Sequence, residues 1–168
     1  MDKRIIMIIA ILIVGISCMY VVVENSTTIG KAITTFSKTS FTLPSGFSVG
    51  DTDSKSAQLY SKQSNEKINI YDRGKGDSTK ECFKNVTDTY KNNPNYYNIN
   101  ETTRSVNNIT VLQLNMETNN TISSSSVFYD YNHTYLVEIS GFEDMKKLNN
   151  DLDFIISTLV PDYKQGKD

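Results

Sequence analysis

Hydrophobic residues fall into three regimes along the chain. Near the N-terminus they form one unbroken run, Ile5 to Val23. From Phe41 they alternate with polar residues. In the last segment they recur every three or four positions. Phe41 and Leu43 alternate up to a Pro44-Ser45-Gly46 turn, and Phe47 and Val49 alternate after it. Ala57 with Leu59, and Ile68 with Ile70, continue the period across turns at 50–55 and 61–66. This spacing predicts short, half-buried antiparallel strands. Ser78 and Glu81 have capping-box spacing, and Cys82, Phe83, Val86 and Tyr90 follow at helical intervals until Asn92, Asn93 and Pro94. Strands return at Tyr97 and Ile99. Leu112, Leu114 and Met116 line one face of another strand, with Ile109 and Val111 on the opposite face. Val127, Tyr129 and Tyr131 are predicted to pair with Tyr135, Val137 and Ile139 across an Asn132-His133 turn. Met145, Leu148, Leu152, Ile155, Ile156 and Leu159 mark a closing amphipathic helix, with Glu143 and Asp144 in its first turn and Pro161 at its end. The order predicts an α+β domain, a single antiparallel sheet with helices packed on it, preceded by an N-terminal transmembrane helix.

The apolar run sets the topology. Its nineteen residues make a helix of about 28 Å, close to the ~30 Å of a hydrocarbon core. Lys3 and Arg4 precede it, so the positive-inside rule leaves residues 1–4 in the cytoplasm and Glu24 onward outside. Two other fates compete with a retained signal anchor at the cell membrane: cleavage with secretion, and lipid attachment at Cys18. The bulky stretch Met19 to Val23 offers no small-residue cleavage site, and Gly15 departs from the Leu-like position of a lipobox. Both observations favour retention. The pilin option fails for want of its processing site. Beyond the span, residues 24–40 read as a polar stalk, 41–160 as the extracytoplasmic domain, and 161–168 as a loose charged tail.

Composition narrows the partners. A net charge of −2 leaves no basic footprint for nucleic acid. Cys18 and Cys82 make no disulfide framework. Membrane contact is assigned to Ile5–Val23, and a protein partner at the cell surface is the other expected contact. Asn25, Asn85, Asn100, Asn108, Asn119 and Asn132 each begin an Asn-x-Ser/Thr acceptor triplet, which an outward domain could present for glycosylation. A chain this rich in Asn, Ser and Thr also produces such triplets by chance.

The Phe41-Thr-Leu-Pro-Ser-Gly-Phe47 opening resembles the start of PsbP-like domains. So does the strand Tyr131-Asn-His-Thr-Tyr-Leu-Val-Glu-Ile-Ser140 leading into a final amphipathic helix. The resemblance runs from Phe41 to Val160 in element order. It implies an α/β/α sandwich, tethered and extracytoplasmic, in a family whose members bind partner proteins or act as accessory subunits more than they catalyse. It carries over no site and no cofactor.

Candidate chemistry concentrates in Asp72-Arg73-Gly74-Lys75-Gly76-Asp77, where glycines, cations and carboxylates precede a helix start. Such a loop could hold an anion or ligand through Asp72, Arg73, Lys75 and Asp77. The alternative is a turn in which the glycines take positive φ and Asp77 or Ser78 caps the helix. Asp51 and Asp53 lack the remaining spacing of a calcium loop. His133 has no Cys or carboxylate near it in sequence for a zinc site. Cys82 reads as a core residue. Tyr90, Tyr96, Tyr97, Tyr129, Tyr131 and Tyr135 read either as a contact face or as half-buried strand residues. No catalytic constellation stands out. The two classes left are a non-catalytic protein-binding or accessory module, and a solute binder or enzyme with its site around Asp72 to Asp77.

Overall fold

A computed structural model describes residues 32–36 and 39–161. The apolar run Ile5–Val23, Cys18, Asn25 and the tail 162–168 lie outside the described residues. Among the described residues no helix is long and apolar enough to cross a membrane.

Seven strands form the main sheet: β3 (Phe47–Thr52), β4 (Ser56–Ser61), β5 (Lys67–Lys75), β6 (Tyr97–Val106), β7 (Ile109–Thr118), β8 (Thr121–Asp130) and β9 (His133–Phe142). Their order is β3-β4-β5-β9-β8-β7-β6, every neighbouring pair antiparallel. Helix α1 (Thr79–Lys91) follows the interior strand β5 and crosses β9, β8 and β7 to deliver the chain to the far edge. Helix α2 (Met145–Thr158) follows β9 and covers the other face. The α+β class, with a helix on each face of an antiparallel sheet, is therefore observed.

Alternation explains the layering. Phe128, Tyr135, Val137 and Ile139 point toward α2 and join Leu148, Leu152, Ile155 and Ile156 in the main core. Val127 and Leu136, one position out of phase, point the other way and meet Cys82 of α1. At Gly141, φ is +82° and an added Cβ would lie 2.4 Å from the Asn65 carbonyl oxygen, so the β4–β5 turn can close over β9 only on glycine.

Four expectations change. Part of the expected stalk is strand: β1 (Ala32–Phe36) pairs with β2 (Thr39–Thr42), which also pairs with β10 (Val160–Pro161) in a separate three-stranded sheet. The sheet is therefore not single. Thr39 and Ser40 are buried, and the Ala-Ile-Thr-Thr-Phe composition of β1 is strand-forming despite its polarity. The hairpin turn is Tyr131-Asn132, both with positive φ (48° and 65°), not Asn132-His133. Val127 therefore lies opposite Leu136 and Phe128 opposite Tyr135. In this register Val127 and Leu136 face α1, whereas Tyr135, Val137 and Ile139 share the α2 face with Phe128. The Asp72–Asp77 loop is in part strand, because β5 runs to Lys75 with a register irregularity between Asp72 and Lys75. Finally, Ser78 makes no side-chain cap on α1. Asp77 Oδ1 instead accepts from Thr79 N at 3.1 Å and from Thr79 Oγ1 at 2.6 Å. The Asp77 side chain, one atom longer than that of Ser78, reaches the first-turn amide without the back-bond a capping box requires.

Candidate functional site

The six-residue cluster comes apart in three dimensions. Asp72 shares the parity of Ile68 and Ile70 and is buried on the α2 face. Both its oxygens lie near His133 Nδ1, at 2.9 and 2.8 Å, and Oδ1 also accepts from Gly74 N at 2.8 Å. His133 thus gains a carboxylate partner sixty-one positions away, a pairing that no local spacing announces. Its ring stacks on Tyr135, whose hydroxyl lies 3.4 Å from Thr39 Oγ1.

Arg73, one residue on, faces α1. It lines a cavity of about 210 Å³ with Cys82, Asn85, Tyr90 and Glu138. Tyr90 donates to Glu138 Oε1 at 2.9 Å. Burial, and then the Glu138 charge, push the Tyr90 phenol up to about 12. Burial also raises the Cys82 thiol, against the pull of the Arg73 guanidinium. Cys82 is buried and free, as a core residue should be. Lys75 is exposed.

Asp77 belongs to a third place, a cleft of about 790 Å³ at the start of α1. Ser78 N donates to Thr134 Oγ1 (3.0 Å), that hydroxyl donates to Gly76 O (2.8 Å), and Gly76 N donates to Asn132 O (3.0 Å). The start of α1 is thereby pinned to the β8–β9 turn. Ile109 and Leu112 supply an apolar floor; Tyr129, Asp130, Asp77 and Glu81 stand around it. Thr79 hydrogen bonds hold the Asp77 carboxyl below the usual range, so it is ionised at neutral pH. Tyr129 is 37% exposed and donates to Asn132 Oδ1 at 3.0 Å.

The tyrosines do not form one face. Tyr135 is buried on the α2 side, Tyr90 packs edge-on to Tyr96 under α1, and Tyr97 and Tyr129 are exposed. Asp53 is occupied with a turn, accepting from Lys55 N and Ser56 N. Asn85, Asn100, Asn108, Asn119 and Asn132 are all exposed. Asn108 has φ +66° in the β6–β7 turn and borders the cleft. Glu81, Asp130 and Glu138 were not anticipated. Only Glu138 leaves a trace in the sequence, as a charge inside the otherwise apolar Tyr135-to-Ile139 stretch.

No protein-family model and no curated protein matches this chain. Among solved structures, it is similar to cyanobacterial PsbP (CyanoP) from Synechocystis sp. PCC 6803. The TM-score is 0.49 and the identity 14%, covering 74% of this chain and 86% of that one. It is also similar to a protein from Bacteroides thetaiotaomicron VPI-5482, with TM-score 0.49 and 13% identity, covering 79% of this chain and 48% of that one. The PsbP-like resemblance read from Phe41 to Val160 thus recurs in the structural comparison, where it concerns the fold alone.

Proposed function

We propose that this chain is a membrane-anchored, extracytoplasmic module of PsbP-like fold that binds a protein partner or supports a membrane complex without catalysing a reaction. The observation that carries the reading is the cleft at the start of α1. An apolar floor, an exposed tyrosine and a charged rim are the ingredients of a protein–protein contact. Retention in the membrane rests on Ile5–Val23 and on the bulky residues that close the run. Only the eight residues Glu24 to Lys31 then separate the span from β1. Fully extended, they reach about 28 Å, which keeps the domain near the bilayer surface. Crosslinking in native membranes followed by capture of the full chain tests the reading. A reproducible partner protein, lost when Tyr129 and Leu112 are both changed to Ser, is expected; no reproducible partner overturns it. Protease treatment of intact cells should digest the domain, and its protection would refute the orientation.

A second reading, a solute binder or enzyme, draws on the small cavity that gathers Arg73, Cys82 and Glu138 under α1. A small carboxylate-bearing solute whose thermal stabilisation of the chain disappears in Arg73→Gln would favour it.

A further inference from the structure

We propose that β6 pairs edge to edge with β6 of a second copy of this chain, joining two seven-stranded sheets around a two-fold axis through Thr103. The pairing does not involve the cleft at the start of α1 and goes beyond the proposed function. Strands β3 and β6 end the main sheet, and among the described residues neither has a neighbour on its outer side. They are protected unequally. β3 has six residues, a register irregularity between Val49 and Thr52, and the exposed Asp51 inside that irregular stretch. A short strand, a bulge and a charge are the devices that keep an edge from recruiting another strand. β6 is irregular only at its start, between Tyr97 and Asn100. From Asn100 onward it pairs with β7 residue for residue, and it contains no proline, glycine or lysine. Its two charges are drawn onto the helices, Glu101 to Lys91 of α1 and Arg104 to Asp153 of α2. Residues 100–106 thus present a straight row of outward main-chain groups, which is a template for pairing.

Symmetry and charge fix the register. Residues opposite one another in antiparallel strands share a face of the sheet, so the two-fold axis passes through a residue and not between two. Thr103 is the midpoint of residues 100–106. Centring there keeps the whole regular stretch paired, with roughly six to eight main-chain hydrogen bonds. Glu101 then lies opposite Ser105 and Thr102 opposite Arg104, so no like charges face each other directly. The two Arg104 side chains come diagonally near, each with its own Asp153. Centring on Glu101 or on Arg104 would set like charges opposite each other. At Thr103 two threonines meet instead, a favourable cross-strand pair.

Closure and chain entry favour a second copy as the occupant. Pairing of β6 with β3 of another copy would repeat without closing and build a fibre, and the irregular β3 edge opposes it. A two-fold pairing closes at two copies. It also leaves corresponding faces of both sheets on one side. Strand β2, which the chain enters from β1, packs on the α2 side: Thr42 N donates to Thr158 Oγ1 at 3.1 Å, and Phe41 lies in the α2 core. Both copies therefore receive their N-terminal segments from the same side of the joined sheet. Two anchors in one membrane, each connected through residues 24–31 alone, require that arrangement. Sharing a membrane also concentrates the copies. This agreement in entry side rests on the proposed anchoring; the edge pairing itself does not.

Cysteine scanning of the full-length Cys18→Ser chain in native membranes, with copper phenanthroline as oxidant, tests the register. At the two-fold centre, Thr103→Cys brings two Cα atoms to about 4.5–5.5 Å, within the range of a disulfide. It should form a linked dimer roughly tenfold faster than Ser105→Cys, whose own copies stand about 14 Å apart. Mixing Glu101→Cys chains with Ser105→Cys chains should restore the fast rate, because those positions lie opposite. Cys82 is buried and does not compete. Energy transfer between donor- and acceptor-labelled copies in vesicles needs no disulfide, and should fall to the level of random mixing in Thr103→Lys. Equal rates at all three positions, absence of both dimer and energy transfer, or linkage of Thr103→Cys to a different protein each overturns the proposal. If the copies do not pair while a membrane partner is captured, the pairing falls and the protein-binding reading stands. If they pair and no other protein is captured, the pairing stands and that reading falls.

Discussion

The two helices make unequal use of the same sheet. Helix α2 drives Leu148, Leu152, Ile155 and Ile156 to complete or near-complete burial, among Phe41, Phe128, Val137, Ile139 and Phe142. Helix α1 buries only Cys82 and Thr87, over a small cluster with Val127 and Leu136. The first contact is filled; the second is flanked by cavities on both sides of the helix and at its start. Apolar burial is the main source of stability, so the α2 face holds the fold. The α1 face, less committed to packing, has room for polar and titratable groups such as Arg73, Tyr90 and Glu138. Stability and, under the proposed function, the capacity to bind fall on opposite sides of one sheet.

The largest test of this contrast is Leu152→Ala, which removes a fully buried α2 side chain and should cost about 3–5 kcal/mol in urea unfolding. Next, native-state hydrogen exchange should show the α1 amides opening locally, at a clearly lower free energy than those of α2 and β9. Equal protection of the two helices would break the comparison. Cys82→Ala should cost only about 1 kcal/mol, and a loss matching that of Leu152→Ala would mean that α1 is a core helix after all.

Titration sharpens the comparison further. Tyr90 has a folded-state pKa of about 12, above that of a free phenol. Its contribution is therefore complete below pH 10 and is lost as pH rises from about 10 to 12. In Tyr90→Phe the fall in stability over that window should be shallower, read from Tm against pH. Tyr71, also raised by burial and by Glu138, accounts for part of what remains. The smallest effect is expected on α2. Burial raises the Asp151 carboxyl even though Lys147 Nζ lies 3.5 Å away. Its stabilising contribution is present below the unfolded carboxyl value and lost as pH climbs through the folded one. Asp151→Asn should therefore raise Tm at pH 7 by about 1–3 °C and leave it unchanged near pH 3.

The filled face was also the legible one. Alternation at Ala57, Leu59, Ile68 and Ile70 and the helical period from Met145 to Leu159 both derive from α2's core, and periodicity reports that kind of burial well. Where burial is polar, the signal vanishes. Ser123 to Ser126 gave no strand pattern, yet all four are buried in β8 between the two layers. Gln113 Nε2 donates to Asn115 and Asn149 side-chain oxygens at 2.9 Å and to Ser124 Oγ at 3.1 Å, a network between β7, β8 and α2. The candidate loop was read as convergent because neighbours in sequence suggest neighbours in space. Strand pleating sends Asp72 and Arg73 to opposite faces instead. His133, set aside for lack of a local partner, found Asp72 through strand pairing at long range.

The small second sheet has a mechanical meaning. Ala32 and Thr42 lie side by side at the open end of the β1–β2 hairpin, so tension applied at Ala32 loads its hydrogen-bonded pairs one after another. The hairpin unzips under such a pull; it is not sheared. Strand β2 stays in place, held by β10 on its other edge and by Phe41 in the core. Under the proposed anchoring, β1 is a reserve of slack. Five residues release roughly 17 Å of tether before any force reaches the sheet that carries the fold.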